Sequence, residues 1–365
     1  MNVPFLDLSL RGSSELPRIM SRIQAVLEHG RLVMGPEVSE FEQLMASFCN
    51  RKHCVSVGSG TDALYLALRS CGITAGAEVI TTSLSWIATA NAIALTGATP
   101  VFADVKHDLN IDPRSVENLL TERTRAILTV NYTGRVSDVD ELSLIAEHAG
   151  VLLIEDAAQS FSATLDGRVS GSFGTISAMS HNPMKVFASV GEAGSILTDD
   201  SELAERLEVL RYNGTVNRET CITPSLNGRM DTLQAAVLIE RLHSVEQLVE
   251  LRRRNASYLD ERLVGLLTLP PSDSRHGDVY YTYTVRSQRR DELQVHLLSR
   301  GIETKIQHPL LMPQQPAFAD SRGEWLHAAT LVGQVLCLPI HEKLTRVALD
   351  QIVDAVKVFG PSAVE

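Results

Sequence analysis

Lys185 lies in the run Ser180-His181-Asn182-Pro183-Met184-Lys185, ahead of Val190-Gly191-Glu192-Ala193-Gly194. A lysine framed by apolar residues, proline and glycine is costly to bury as a cation, and the neutral amine is the form that makes a Schiff base. The commoner fate of an isolated lysine is an exposed loop. Asp156 closes the segment Ile154-Glu155-Asp156-Ala157-Ala158-Gln159. At the C-terminal end of a buried parallel strand, such a carboxylate points at the ligand rim. There it can hold a protonated ring nitrogen, with Gln159 near a neighbouring hydroxyl. The plain alternative is an aspartate capping the next helix. The turn Gly58-Ser59-Gly60-Thr61-Asp62 precedes a helical pattern. Gly60 lets the backbone approach an anion, the helix N-terminus offers N–H groups, and Thr61 adds a hydroxyl. It matches neither GxxxxGK(S/T) nor GxGxxG, and a simple capped turn explains it equally well in isolation.

In the order anion turn, carboxylate, lysine, the three signals reinforce one another. Pyridoxal 5′-phosphate (PLP) requires an anion cradle, an acid opposite its pyridine nitrogen and an imine-forming lysine. It also needs a flat surface against its ring. Trp86, in Ser85-Trp86-Ile87-Ala88-Thr89-Ala90-Asn91, is suited to stacking there, with core packing as the alternative.

The surrounding pattern supplies a scaffold. Leu16, Ile19, Ile23 and Val26, then Val38, Phe41, Leu44 and Phe48, have helical spacing on either side of Gly35-Pro36. From Cys54 to about Thr198, apolar runs (CVSVGS, EVITTS, TPVFADV, RAILTVNY, VLLIEDAA, TISAMSHN, AGSILTDD) are separated mostly by helical patterns. This predicts an α/β fold with a largely parallel sheet flanked by helices. After Gln234 a long helical stretch, AAVLIERLHSVEQLVELRRRNASYLDERL, leads away. YYTYTVR and ETKIQHP read as strands, and DELQVHLLSRG and TRVALDQIVDAVKVF as helices. The expected division is a large domain over 1–244 and a smaller α+β domain over 245–365.

Composition agrees with an ordinary globular chain. The 365 residues are 44% hydrophobic and 21% charged, which argues against disorder. With 33 Lys+Arg against 44 Asp+Glu, the net charge is −11, so binding to nucleic acid or anionic lipid is not expected. No apolar stretch is long enough for a membrane span, and MNVPFLDLSLRGSSE lacks the pattern of a secretory signal. Five scattered cysteines without CxxC favour free thiols over a disulfide framework or a metal site. A cytoplasmic enzyme is the expectation.

Across nearly its whole length the sequence resembles the DegT/DnrJ/EryC1/StrS sugar aminotransferases, PLP enzymes of the aspartate-aminotransferase fold (fold type I). The resemblance rests on Val3-Pro4-Phe5-Leu6-Asp7-Leu8, Met34-Gly35-Pro36-Glu37-Val38-Ser39-Glu40-Phe41-Glu42, SGTDAL, SWIATANAI, IEDAAQ and GSFG. It continues in Leu226-Asn227-Gly228-Arg229-Met230-Asp231-Thr232-Leu233-Gln234-Ala235-Ala236, Gly301-Ile302-Glu303-Thr304 and Leu338-Pro339-Ile340-His341.

The resemblance implies that Lys185 is the Schiff-base lysine and catalytic base, and that Asp156 pairs with the pyridine nitrogen. Gln159 would lie near the cofactor hydroxyl, Gly60, Thr61 and Ser180 would hold the phosphate, and Trp86 would stack on the ring. Asn227 is similar to a residue that reaches the phosphate of the neighbouring subunit, with Arg229 beside it or near substrate. A homodimer with shared active sites follows. The implied reaction moves an amino group from an amino acid, L-glutamate, to a keto sugar carried on a nucleotide. A sugar dehydratase of the same fold, with histidine replacing the lysine, is the rival reading, and Lys185 argues against it. A non-catalytic regulator would not need Lys185 and Asp156 together.

Three departures stand out. His181 occupies a position that is aromatic in most members. His308-Pro309-Leu310-Leu311-Met312-Pro313 replaces a Tyr-Pro-x-Pro-Leu-His segment, whose histidine has no clear match. VFASVGEAG resembles the GDAG type of 3-keto-sugar enzymes more than the ITxGEGG pattern of 4-keto-sugar enzymes.

Overall fold

A computed structural model describes residues 2–363. Two N-terminal helices, α1 (Glu15–His29) and α2 (Pro36–Phe48), precede the sheet. Its strands are β1 (His53–Val57), β2 (Glu78–Thr82), β3 (Thr99–Ala103), β4 (Thr124–Val130), β5 (Leu152–Asp156), β6 (Ile176–Ser180) and β7 (Gly194–Thr198). Between and beyond them run α3 (Gly60–Ser70), α4 (Ala88–Leu95), α5 (Pro113–Asn118), α6 (Val139–Ala149) and α7 (Ser201–Arg211). All seven apolar runs read from the sequence are strands of this one sheet, in the spatial order β1-β7-β6-β5-β4-β2-β3.

The runs are nearly continuous in hydrophobicity because both faces of the sheet are covered. Ala178 and Ile196 pack with Leu66, Leu128 and Ile154 on one face. Their neighbours Met179 and Leu197 pack with Phe41, Met45 and Leu238 on the other. Successive side chains of a strand point to opposite faces, so each strand serves both cores. Pairing is parallel from β3 through β6, whereas β7 is antiparallel to both β6 and β1. Antiparallel neighbours need no crossover helix. The β6–β7 connection is therefore free to be a loop at the sheet's C-terminal rim, and that loop carries Lys185.

The predicted long helix after Gln234 is two helices, α8 (Thr232–Leu242) and α9 (Val245–Leu263). At the break Ser244 leaves helical geometry (φ −116°, ψ 1°), and its hydroxyl donates to the carbonyl of Arg241 at 3.2 Å. A serine hydroxyl that engages the preceding turn competes with the helix ladder.

Beyond α9, β8 (Tyr283–Arg286) pairs antiparallel with β9 (Val335–Leu338). α10 (Arg290–Ser299) and α11 (Leu326–Val332) lie between them in the chain, and α12 (Arg346–Phe359) follows β9. Leu259, Tyr283, Leu297, Leu336 and Ile352 form a separate apolar core, which also takes in Val3 from the start of the chain. The fold is thus α/β with a smaller C-terminal α+β domain. ETKIQHP is not a strand: it contributes a single bridge, Lys305 to Cys337. Further extension is stopped where His308 takes a left-handed φ of 53° before Pro309. Among the described residues, no helix is long and apolar enough to cross a membrane.

Candidate active site

The C-terminal ends of β5 and β6, the start of α3 and the lysine loop converge on a cavity of about 700 Å³. Gly60, Thr61, Trp86, Asp156, Gln159, Ser180 and Lys185 all line it. Its far wall comes from Tyr281 and the segment 305–315.

The anion end is built by α3. Ser59 caps the helix, its hydroxyl accepting from the N–H of Asp62 at 3.0 Å. The N–H groups of Gly60 and Thr61, in the first turn, have no intrahelical acceptor and point outward with the positive end of the helix dipole. Gly60 presses against the end of β6, where a Cβ would fall 2.5 Å from the Ser180 Cβ. Any side chain there would displace the Ser180 hydroxyl from the turn. Ser59 does the capping, as the capped-turn reading expects, and Thr61 and Ser180 line the cavity, so capping does not occupy the groups that an anion would need.

Asp156 is 3% exposed, at the end of β5. Its two oxygens accept from the Ala158 N–H and the Thr89 hydroxyl, both at 3.1 Å. Burial pushes its carboxyl above the usual range; the Ala158 N–H, the Lys185 charge and the Thr89 hydroxyl pull the other way. Among the described residues this deep carboxylate has no directly bonded cationic donor, and a protonated pyridine nitrogen is such a donor. Beside it, the Gln159 side-chain carbonyl accepts from the Thr133 N–H at 3.0 Å, leaving the amide N–H₂ for a ligand hydroxyl. The preceding Glu155 has no part in the cavity. It is fully buried, bonded to Asn131, Ser170, Ser177 and the N–H groups of Gly171 and Phe173.

Lys185 is half-buried in a loop fastened at both ends. Its N–H donates to the Asn182 carbonyl at 2.8 Å, and Asn182 donates to Glu192 at 2.6 Å. Phe187 stacks on Phe161 at 4.2 Å, and Arg241 of α8 donates to the Ala188 carbonyl at 2.6 Å. The Lys185 ammonium lies 4.6 Å from the centre of the Tyr281 ring. His181, in contrast, is a core residue. It is fully buried between Phe41 and Phe187, with Nε2 2.9 Å from the Ser195 hydroxyl. Burial lowers its imidazole to about 4, so it is neutral, and it does not line the cavity. Trp86 is 60% exposed, which excludes the core-packing alternative.

Asn227 and Arg229 do not join the cavity. Asn227 is exposed and accepts from the Arg229 guanidinium at 2.7 Å, while Arg229 stacks over Tyr212 at 4.3 Å. The sequence reading missed Thr89, Tyr281, Lys305, and the pair Tyr132 and His308. Thr89 had a legible signal inside SWIATAN, and His308 heads the segment that departs from the family pattern.

Tyr281 is positioned by a turn at the end of β4. The Gly134 carbonyl accepts from the Val279 N–H at 3.0 Å, and the Thr133 carbonyl from the Thr282 N–H at 3.3 Å. Gly134 has φ 99°, and a Cβ there would lie 2.7 Å from the Tyr281 nitrogen. Gly134→Ala is expected to cost about 1–3 kcal/mol in denaturant unfolding and to lower activity by shifting Tyr281. Unchanged stability and turnover would show that the turn adapts without strain.

Comparison with known proteins agrees with this geometry. A model of the DegT/DnrJ/EryC1/StrS aminotransferase family matches residues 14–357. The dTDP-3-amino-3,4,6-trideoxy-alpha-D-glucose transaminase of Streptomyces venezuelae is 39% identical over 361 residues, 97% of this chain and 95% of that protein. A "pleiotropic regulatory protein" of Geobacillus stearothermophilus is 36% identical over 367 residues, covering 98% and 99% of the two chains. The crystal structure of S. venezuelae DesV in complex with a ketimine intermediate superposes with TM-score 0.95 at 39% identity, covering 98% of each chain. With the anion turn, buried carboxylate and rim lysine around one cavity, these matches make the chain a member of the DegT/DnrJ/EryC1/StrS family, a PLP-dependent sugar aminotransferase.

Proposed function

We propose that the enzyme transfers the amino group of L-glutamate to the ketone at carbon 3 of a nucleotide-linked sugar, as a cytoplasmic homodimer. The observation that carries this reading is the gathering of Lys185, Asp156, Gln159, Ser180 and the α3 N-terminus around one cavity of about 700 Å³. That volume is within the roughly 300–1,000 Å³ of small-molecule sites. The likeness of VFASVGEAG to the 3-keto type, and the name of the S. venezuelae transaminase, support carbon 3.

In this reading the N–H groups of Gly60 and Thr61 and the Thr61 and Ser180 hydroxyls hold the phosphate of PLP. Trp86 covers the ring, and Gln159 donates to the ring hydroxyl. Asp156 faces the ring nitrogen and keeps a proton on it. Bound PLP supplies an electron-accepting ring that stabilises negative charge on the carbon bearing the transferred nitrogen. Lys185 removes the proton from that carbon and delivers it in the reverse direction, as a positioned base and acid. Its loop, pinned through Phe187 and Arg241, limits the search for that geometry. Residues 1–244 serve as the PLP-binding domain and 245–365 as the small domain, a division supported by the second apolar core.

L-Glutamate should bleach the cofactor's visible absorbance in the purified enzyme, and a nucleotide-linked 3-keto sugar should restore it. Restoration by 4-keto isomers alone would overturn the carbon-3 assignment. No response to any amino acid would favour the dehydratase or regulator alternatives.

The dimer proposal rests on the family resemblance of Asn227 and is supported by its exposure outside its own chain's cavity. In a C2 dimer each site would take Lys185 and Asp156 from one chain and Asn227 from the other. Mixing Lys185→Ala chains with an impaired Asn227→Ala variant should then restore activity. One site of each mixed dimer lacks both groups, and the other keeps both. No gain after verified subunit exchange would place Asn227's action within its own chain.

A further inference from the structure

On the far wall of the cavity His308 is paired with the buried Tyr132, and the proposed cofactor contacts use neither side chain. Tyr132 is 3% exposed, and its hydroxyl lies 2.8 Å from His308 Nδ1. A buried hydroxyl proton needs an acceptor, and Nδ1 is the partner in reach, so the Tyr132 O–H donates to it. A neutral imidazole that accepts at Nδ1 carries its proton at Nε2. Burial, with the positive charges of Lys185 and Lys305, lowers His308 to about 4, so the ring is neutral near pH 7. Nε2 has no hydrogen-bond partner among the described residues. It is not among the buried unpaired atoms either, and His308 lines the cavity, so Nε2 opens onto it.

The backbone gives a second, independent indication. His308 has φ 53°, and it precedes Pro309. The left-handed region is uncommon outside glycine, although histidine enters it more readily than most residues, and the residue before proline is normally extended, so the conformation here is set against the Pro309 preference. Such strain persists where surrounding structure enforces it, and it concentrates at ligand clamps. The ring is 5.8 Å from Trp86, and its partner Tyr132 belongs to the same turn as Thr133, whose N–H holds Gln159.

We propose that His308 is a specificity-determining residue for the sugar, an Nε2–H donor to one of its acceptor oxygens, and that Tyr132 is the positioning residue that sets its tautomer. The inference rests on the keto-sugar reading of the site. A neutral donor suits a hydroxyl or ketone oxygen and carries no charge for the amino donor's carboxylate. It therefore acts in one half-reaction only.

The two half-reactions of the purified holoenzyme can be followed separately through cofactor absorbance. His308→Phe should leave the rate and half-saturation with L-glutamate within about twofold of wild type. The half-reaction with the keto sugar should fall by about 10- to 100-fold. His308→Gln, which keeps an N–H donor, should recover part of that loss, and Tyr132→Phe should show a smaller loss in the same half-reaction. A normal glutamate half-reaction also certifies folding and cofactor binding in each variant. Equal losses in both halves, or an unimpaired sugar half in His308→Phe, would overturn the inference while leaving the transaminase reading intact. Failure of the wild type with every keto sugar would instead overturn the site reading, and this inference with it.

Discussion

Lys185→Ala is expected to lower transamination by at least about 10⁴-fold while the protein stays folded. On the proposed reading the substitution deletes both the amine that bonds to the cofactor and the group that moves the proton, and the cavity's other amine, Lys305, stands on the opposite wall segment rather than in the β6–β7 loop. Its structural cost is small. The ammonium's main contact is the Tyr281 face at 4.6 Å, worth about 0.5–1 kcal/mol at a partly exposed site. The loop is held by Phe187, Asn182 and the Arg241 bond to Ala188, all of which remain. Circular dichroism and thermal melting should match wild type within a few degrees. Substantial turnover by the variant, with wild-type contamination excluded, would remove Lys185 from the mechanism.

Asp156→Asn should lose about 10²- to 10⁴-fold in turnover and still bind PLP through its phosphate. An amide can keep the Ala158 N–H bond but has no charge with which to hold a proton on the ring nitrogen. The same change should not destabilise the protein before PLP is added. The folded carboxyl is raised above its unfolded value of about 3.8, chiefly by burial. Such a group contributes stability below the unfolded value and loses it as pH rises through the folded one. At pH 7, well above the unfolded value, burial of Asp156 therefore weakens the cofactor-free fold, and asparagine relieves it. Chemical denaturation at pH 7 should find the cofactor-free variant at least as stable as wild type. A clear loss of stability would mean that the Lys185 attraction outweighs the desolvation. Near-wild-type turnover would mean that another group holds the ring nitrogen.

Much of this enzyme is legible in one dimension. The seven strands are short apolar runs because both faces of the sheet are buried, and burial on both faces leaves a continuous hydrophobic signature. The anion turn, Asp156 and Lys185 are legible because each sits at a strand end within a compact local motif. What the sequence could not determine is what meets across the cavity. Tyr132 and His308 are 176 residues apart, and their hydrogen bond exists only because the C-terminal domain folds over the rim of the sheet. Tyr281 covers Lys185 only because Gly134 accepts a backbone conformation that brings the two segments together. His181 and Lys185, four positions apart in one loop, have opposite fates. One is sealed among Phe41, Phe161 and Phe187 and the other is left at the cavity, according to which face of the sheet's rim each side chain meets. Local pattern determined the scaffold and the strand-end residues that line the cavity. The opposite wall, with Tyr281 and His308, was decided by long-range packing, because no short stretch of sequence encodes a contact between two distant segments.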